Sequence, residues 1–437
     1  MQRLNFLRLN TLTATKYIAI ILVLLLMSGA FLTLMMDDDT GMSAYQHGDE
    51  KLQWMWGVID LVVVVACALH GRQFIRVASR QPWLLAFVAW GLLTVLWSED
   101  PMLSLRRTLG LACTVALGFF LGMRFELKEL LRITAWALAI AVVASLEAVV
   151  LIPSFAIQYN LGGAVRGVFV QKNTMARVIG VAVIVFTFLL LESRRYRLLY
   201  LVPLLLSVAL IVLSKSVTAI IVTFLAISLL AFLKLRLRPT QSVALFAFVS
   251  LLGLGATLFV VGNTDSIFAF MGKDASLTGR TDLWRESIAA VLRRPLLGAG
   301  WDVFWMGPEA DAIRSAVHWQ TPHSHNAFLD LALNTGLVGL AIFLASLFDC
   351  LRHAVRYSRE PDRPFNLWPL LYYSYIFFYM FTETTTVDRH SLFNVLFCAL
   401  SVSMTETARL EVSEHEHEQE LMHAGIVSDS RMIQESQ

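Results

Sequence analysis

The chain has 437 residues, 57% of them hydrophobic and only 16% charged, with a formal net charge of +2. Soluble domains carry about 25% charged residues, so this composition belongs to a membrane protein, and so small a net charge makes no case for a nucleic-acid partner. Four cysteines (Cys67, Cys113, Cys350, Cys398) lie far apart, in or beside apolar runs, without metal-ligand spacing. They read as buried free thiols.

Twelve apolar segments follow one another, at about 17–36, 54–70, 82–97, 108–123, 131–152, 174–191, 198–213, 216–233, 242–262, 325–348, 367–381 and 391–405. The first has no small-residue cleavage site and reads as a retained first helix. Asp37, Asp38 and Asp39 then form an acidic external loop, and no second acidic motif at ligand spacing argues for a metal. With the N-terminus inside, most of the 35 lysines and arginines fall on the cytoplasmic side. The positive-inside rule therefore predicts an all-α polytopic membrane protein of about twelve transmembrane helices with both termini cytoplasmic. Residues 1–410 read as one transmembrane domain and 411–437 as a disordered cytoplasmic tail, whose Glu-His-Glu-His-Glu run is a solvated acidic stretch. Glu147, near the outer end of its helix, reads equally well as a pocket carboxylate or a buried structural partner.

Residues 263–324 form the single long external loop, and it is partly helical. Thr281 to Arg294 has the helical period, Pro295 ends it, Gly298-Ala299-Gly300 turns the chain, and Glu309 to Val317 suits a second short helix. Trp301, Trp305 and Trp319 suit the headgroup layer, which makes the loop a surface lid beside His325.

His323 and His325 stand where this loop meets the next helix, and Asn326, Asp330 and Asn334 recur on one face below them. Such intramembrane polar groups are costly unless they face a cavity or partners. His325, placed in the first turn, meets the positive end of the helix dipole, which favours a neutral imidazole able to act as a general base. Arg166, Lys172, Arg177, Lys215, Arg280, Glu383 and Arg389 share the external side. Such a cationic cluster above a membrane cavity suits an anionic headgroup such as a diphosphate. Gly336-Leu-Val-Gly339 reads as close helix packing rather than a phosphate loop, and no nucleotide or hydrolase motif is present.

Four stretches resemble the O-antigen ligase and Wzy-type polysaccharide polymerase superfamily. They are His325-Asn326 with Gly336-x-x-Gly339; Leu277-Thr278-Gly279-Arg280 through Trp284 to Pro295-x-x-Gly298-x-Gly300; Arg166-Gly167-Val168-Phe169 with Lys172-Asn173; and Leu96-Trp97-Ser98 with Pro101, Ser104, Leu105, Arg106 and Arg107. The last stretch and Glu383 resemble the exopolysaccharide-polymerase branch, although Gln171 stands where that branch often has histidine. The resemblance spans about residues 90 to 400.

It implies a GT-C-like fold in the bacterial inner membrane with the active site on the periplasmic side. The implied activity is metal-independent, inverting, cofactor-free transfer of a glycan from undecaprenyl diphosphate. His325 would be the base, and Arg280 and Arg166 would neutralise the leaving diphosphate. Lys172, Lys215, His323, Asn326, Asp330, Glu383 and Arg106 would contact substrate. A lipid-linked repeat unit as acceptor makes a polymerase, favoured here; a lipopolysaccharide core makes a ligase. A flippase and a chain-length regulator are expected partners. A transporter would place its ionisable groups near the midplane and show inverted repeats, and this sequence has neither.

Overall fold

A computed structural model describes residues 11–36, 49–193, 195–234, 277–360, 365–384 and 388–423. Its helices are α1 (Thr11–Met27), α2 (Glu50–Leu69), α3 (Gly71–Ala78), α4 (Pro82–Thr94), α5 (Pro101–Arg124), α6 (Leu127–Leu151), α7 (Lys172–Glu192), α8 (Arg197–Leu213), α9 (Val217–Lys234), α10 (Leu277–Arg293), α11 (Pro308–Val317), α12 (Ala327–Ser358), α13 (Trp368–Met380) and α14 (Leu392–His423). Each expected apolar segment carries a helix except 242–262, which lies outside the described residues, as do Asp37, Asp38 and Asp39. Six helices (α2, α5, α6, α7, α9 and α12) are long and apolar enough to cross a membrane.

The surface has the pattern of a membrane solvent. Leu61, Val62, Val64 and Val65 of α2, and Leu198, Val202 and Leu205 of α8, are exposed apolar side chains, while Arg107, Arg166, Asp330 and Glu383 are buried. Apolar groups outside and charges inside fit a bundle whose exterior meets lipid. The bundle closes where small residues let backbones meet. Gly118 and Gly122 of α5 lie so near Cys398, Ala399 and Val402 of α14 that a Cβ at either would clash. Around this pair, α7 packs on α8 and α9, α12 on α4 and α13, α1 on α6, and α2 on α5.

Three expectations are corrected. The first apolar segment stops being α-helical at Met27; Gly29 and Phe31 take positive φ and a short 3-10 turn follows at Leu32–Leu34. The tail from 411 is not wholly irregular, because α14 continues to His423. In the long loop, α10 and α11 fall where the sequence places helices, yet the tryptophans do not sit at a headgroup surface. Trp301 and Trp305 are 4% and 2% exposed. Trp301 meets Phe87 edge-on at 5.4 Å, and Trp319 stacks on His325.

The joint between this loop and α12 positions everything that follows. α12 is broken at Gly336, whose φ of 68° and ψ of 180° are non-helical. Segment 295–300 fills the break: Ala299 and Gly300 donate to the Leu333 and Asn334 carbonyls at 2.9 Å each, and Leu337 N–H donates to Pro295 O at 2.7 Å. A side chain at Gly336 would fall on the Leu296 carbonyl, and one at Gly298 on the Asn334–Gly336 backbone. These glycines therefore serve a backbone insertion, not the helix–helix packing expected of Gly336-x-x-Gly339; only Gly339, tight against Trp90 of α4, has that role. The Leu96-Trp97-Ser98 stretch closes the same joint. Trp97 Nε1 donates to Leu297 O at 3.1 Å, and Gly300 lies against Ser98.

Candidate functional site

His325 is set before the helix rather than in its first turn. Asn326 is the N-cap, its side chain accepting from the Phe328 and Leu329 N–H groups, and helix α12 starts at Ala327. The helix-dipole argument for His325 therefore loses its basis. The side chain is positioned by other means. Its backbone takes φ 54°, a left-handed value that a non-glycine residue adopts only when its surroundings hold it there. Its ring stacks on Trp319 with centroids 5.0 Å apart at 8°, and meets the His323 ring edge-on at 4.2 Å.

The polar stripe of α12 supplies that hold. Asp330 Oδ1 accepts from Trp305 Nε1 at 2.8 Å and from the Ser324 N–H at 3.0 Å, and Oδ2 accepts from the Thr384 hydroxyl. Asn334 accepts from the Phe304 N–H at 3.0 Å, and Trp284 Nε1 of α10 donates to Ser324 O at 2.9 Å. Asp330 thus pairs with neither arginine considered for it; it pins the backbone next to His325.

His325 Nδ1 lies 3.0 Å from Glu383 Oε2, just beyond α13. The other carboxylate oxygen, Oε1, accepts from Arg280 Nη2 of α10 at 3.3 Å and from Asn173 Nδ2 of α7 at 3.5 Å. Burial alone would raise the Glu383 carboxyl, but His325, His323 and Arg280 outweigh it and hold it at about 2. The carboxylate is therefore ionised and accepts the Nδ1–H, which leaves the Nε2 lone pair of a neutral His325 available. No hydrogen-bond partner for Nε2 appears among the described residues. His323 is different. Burial, then His325, lowers it to about 3, and its Nδ1 accepts from the His325 N–H at 3.2 Å, so it is a neutral ring with its proton on Nε2.

Beside this group lies a cavity of about 550 Å³, within the range that takes a sizeable ligand. His323, Glu383, Asp330 and Asn334 line it; His325 lies directly behind them. The lining cations are Arg106, Arg107, Arg177 and Arg389. Arg107 and Arg389 both pair with Asp302, and Arg106 donates to Gln53 Oε1 at 2.8 Å. The expected uncompensated cationic cluster is thus a set of matched pairs. Asp388, also lining, is raised to about 6 by burial, against the pull of Arg177 and Arg389.

Several expected contact residues lie away from the cavity lining. Arg166 is buried, with Nε donating to Phe155 O at 2.7 Å and Nη1 to Val170 O at 3.1 Å, its guanidinium 4.8 Å from the Phe155 ring. Lys172, likewise buried, opens α7, its N–H bonded to Gln158 Oε1 at 3.0 Å. Lys215 Nζ donates to Gly162 O at 2.6 Å, tying the α8–α9 turn to the small β-hairpin in which Ile157 pairs Val165 and Gln158 pairs Ala164. Asn326 reaches Phe381 O at 3.4 Å. Sequence reasoning missed Trp319, Asp302, Asp388, Trp56, Asp60 and His390. Of these Asp60 had a legible signal, a lone carboxylate inside an apolar run.

His323, His325 and Glu383 place three potential ligand atoms within 4.8 Å of one another. Two of those atoms are already engaged, His325 Nδ1 with Glu383 and His323 Nδ1 with the His325 N–H. A cation there would have to replace the first bond and compete with Arg280 for Glu383.

A polytopic helical membrane protein, carrying a buried histidine–carboxylate–arginine chain beside a polar cavity, is the class that fold and site define. A family model described as O-antigen ligase matches residues 202–344, which contain α10, His325 and the Gly336 break. The exopolysaccharide production protein ExoQ of Rhizobium meliloti (strain 1021) is 27% identical over 300 residues, covering 64% of this chain and 67% of that protein. The two matches support the O-antigen ligase and Wzy-type polymerase superfamily, with its exopolysaccharide branch, as the family of this chain.

Proposed function

We propose that the protein is a polysaccharide polymerase that transfers a glycan from undecaprenyl diphosphate to a lipid-linked repeat-unit acceptor, with inversion and without a metal. The observation carrying this reading is the chain from Arg280 through Glu383 to His325 Nδ1. A carboxylate on Nδ1 orients the ring and stabilises the imidazolium formed when Nε2 takes a proton. In the proposed step Nε2 takes the acceptor hydroxyl proton as that oxygen bonds to the anomeric carbon. The bond from that carbon to the diphosphate oxygen breaks on the opposite face, and the diphosphate leaves with the electron pair. Arg280 and Arg177 are positioned to meet that charge, a term that is often the largest in catalysis. Arg166 acts through the loop it ties at Val170, next to the lining residue Gln171.

The accompanying topology is twelve spans in one domain over residues 1–410, GT-C-like, in the bacterial inner membrane with both termini cytoplasmic and His325 periplasmic. A flippase and a chain-length regulator would act beside it. The relative's description as an exopolysaccharide production protein favours the polymerase; the family description as O-antigen ligase supports a second reading with the same donor and a lipopolysaccharide-core acceptor. The product separates them: longer lipid-linked glycan, or glycan on the core.

The test is transfer by the purified chain from lipid-linked repeat units in detergent. His325→Ala should abolish transfer while membrane expression persists, and a chelator should leave the wild type unaffected. Full polymer yield from His325→Ala overturns the assignment, and loss of activity to the chelator turns the His323–His325–Glu383 group into a metal site.

A further inference from the structure

The proposed chemistry uses one wall of the cavity, and a second wall is built by different elements. Helix α2 buries only Leu52, Val63 and Cys67 and exposes its apolar side chains. Its cavity side carries Gln53, Trp56 and Asp60, whose spacings of three and four put them on one helical face. A carboxylate halfway along a helix able to cross a membrane is costly unless it has a partner and faces a cavity. Asp60 has both. The His390 Nε2–H lies 3.0 and 3.2 Å from its two oxygens, and the His390 ring lies flat on the Trp56 indole, centroids 4.4 Å apart at 2°.

The chemistry of this wall selects its ligand. An anion is poorly matched: Asp60 stands beside His390, and Asp302 already takes Arg107 and Arg389. A lipid chain would strand Gln53 and Asp60 without polar partners. A saccharide offers hydroxyls that both donate and accept, and C–H faces that lie against an indole. The wall answers each with a carboxylate and an amide oxygen that accept, an imidazole and a guanidinium that donate, and an aromatic face.

We infer that Gln53, Trp56, Asp60, Arg106 and His390 form the acceptor-saccharide subsite, which holds the acceptor glycan by its hydroxyls while the lipid diphosphate lies on the Arg280 and Arg177 side. The inference rests on the glycosyl-transfer reading above. It separates the two substrates by chemistry: the donor is recognised by charge, the acceptor by neutral sugar contacts.

Saturation-transfer NMR on the full chain in detergent micelles tests it. The probe is the lipid-free oligosaccharide released by mild acid from the host's lipid-linked glycan, with inorganic diphosphate as competitor. Wild type and His325→Ala should bind the oligosaccharide alike, and diphosphate should not displace it. Asp60→Asn and Trp56→Leu should weaken binding about tenfold or more, through a lost acceptor and a lost contact face. Should those variants not fold, Gln53→Ala, at an exposed position, must show the loss. Binding unchanged in the variants, displacement by diphosphate, or no binding to wild type overturns the subsite. Failure of the transfer reading shows elsewhere, as absent transfer by wild type or retained transfer by His325→Ala.

Discussion

Glu383→Gln is the sharpest probe of the site, because it keeps the shape of the side chain and removes only its charge. Glu383 joins two groups at once, with Oε2 facing His325 Nδ1 at 3.0 Å and Oε1 facing Arg280 Nη2 at 3.3 Å. Glutamine has one oxygen and one nitrogen, so it cannot accept from both. If its oxygen faces His325, its amide meets Arg280 as two donors; if it turns, the amide donates to Nδ1 and the Nε2 lone pair is lost. The surroundings hold the carboxyl at about 2 against an ordinary 4.5, a gap worth about 3 kcal/mol at 1.36 kcal/mol per pKa unit. Carried into the transition state, where the imidazolium forms, that is about a hundredfold in kcat. Transfer rate with purified lipid-linked repeat units is the assay, and KM should change far less than kcat. A depressed carboxyl contributes stability that is present above its unfolded value near 4.5 and is lost as pH falls through about 2. The wild-type melting temperature should therefore fall across that window, and the glutamine variant should lack that contribution. Transfer within about threefold of wild type, with the acid window unchanged, would refute the role given to Glu383.

Asp330→Ala removes the acceptor for Trp305 Nε1, the Ser324 N–H and the Thr384 hydroxyl. Orphaning these donors should cost about 3 kcal/mol or more, read as a lowered melting temperature with transfer lost; an unchanged melting curve would contradict the pinning role. Gly336→Ala places a methyl group on the Leu296 carbonyl at φ 68°, so folded protein should fall sharply in size-exclusion chromatography. Asp388, raised to about 6, contributes stability that is present below about 3.8 and is lost as pH rises through about 6. Asp388→Asn, always neutral, should match wild type near pH 4 and exceed it by up to about 3 kcal/mol at pH 8, measured by thermal unfolding across pH.

Much of the bundle was legible because lipid imposes a one-dimensional rule. A span must be a long apolar helix whose backbone bonds close internally, so composition along the chain marks helices before any packing is known. The helices of the long loop were equally local, marked by period, by Pro295 and by the glycines after it. What these glycines do was not legible. Gly298 and Gly336 are far apart in sequence, and only their meeting shows a backbone segment inserted into a broken helix.

His325 could be singled out from the sequence, and the external side for its neighbours followed from charge bias alone. Sidedness, however, places a residue on a surface and not on a face of it. It could not show that Arg166 and Lys215 bond to backbone carbonyls while Arg106, Arg177 and Arg389 reach the cavity. The sequence by itself determined which segments are helices, because the bilayer's demand acts residue by residue. Only the tertiary structure decided that Glu383, Arg280 and Trp319 converge on His325, and that Asp60 meets His390 from a helix 330 residues away in sequence. Side-chain convergence depends on helix rotation and crossing, and these are set by which faces pack together, information that no single segment carries.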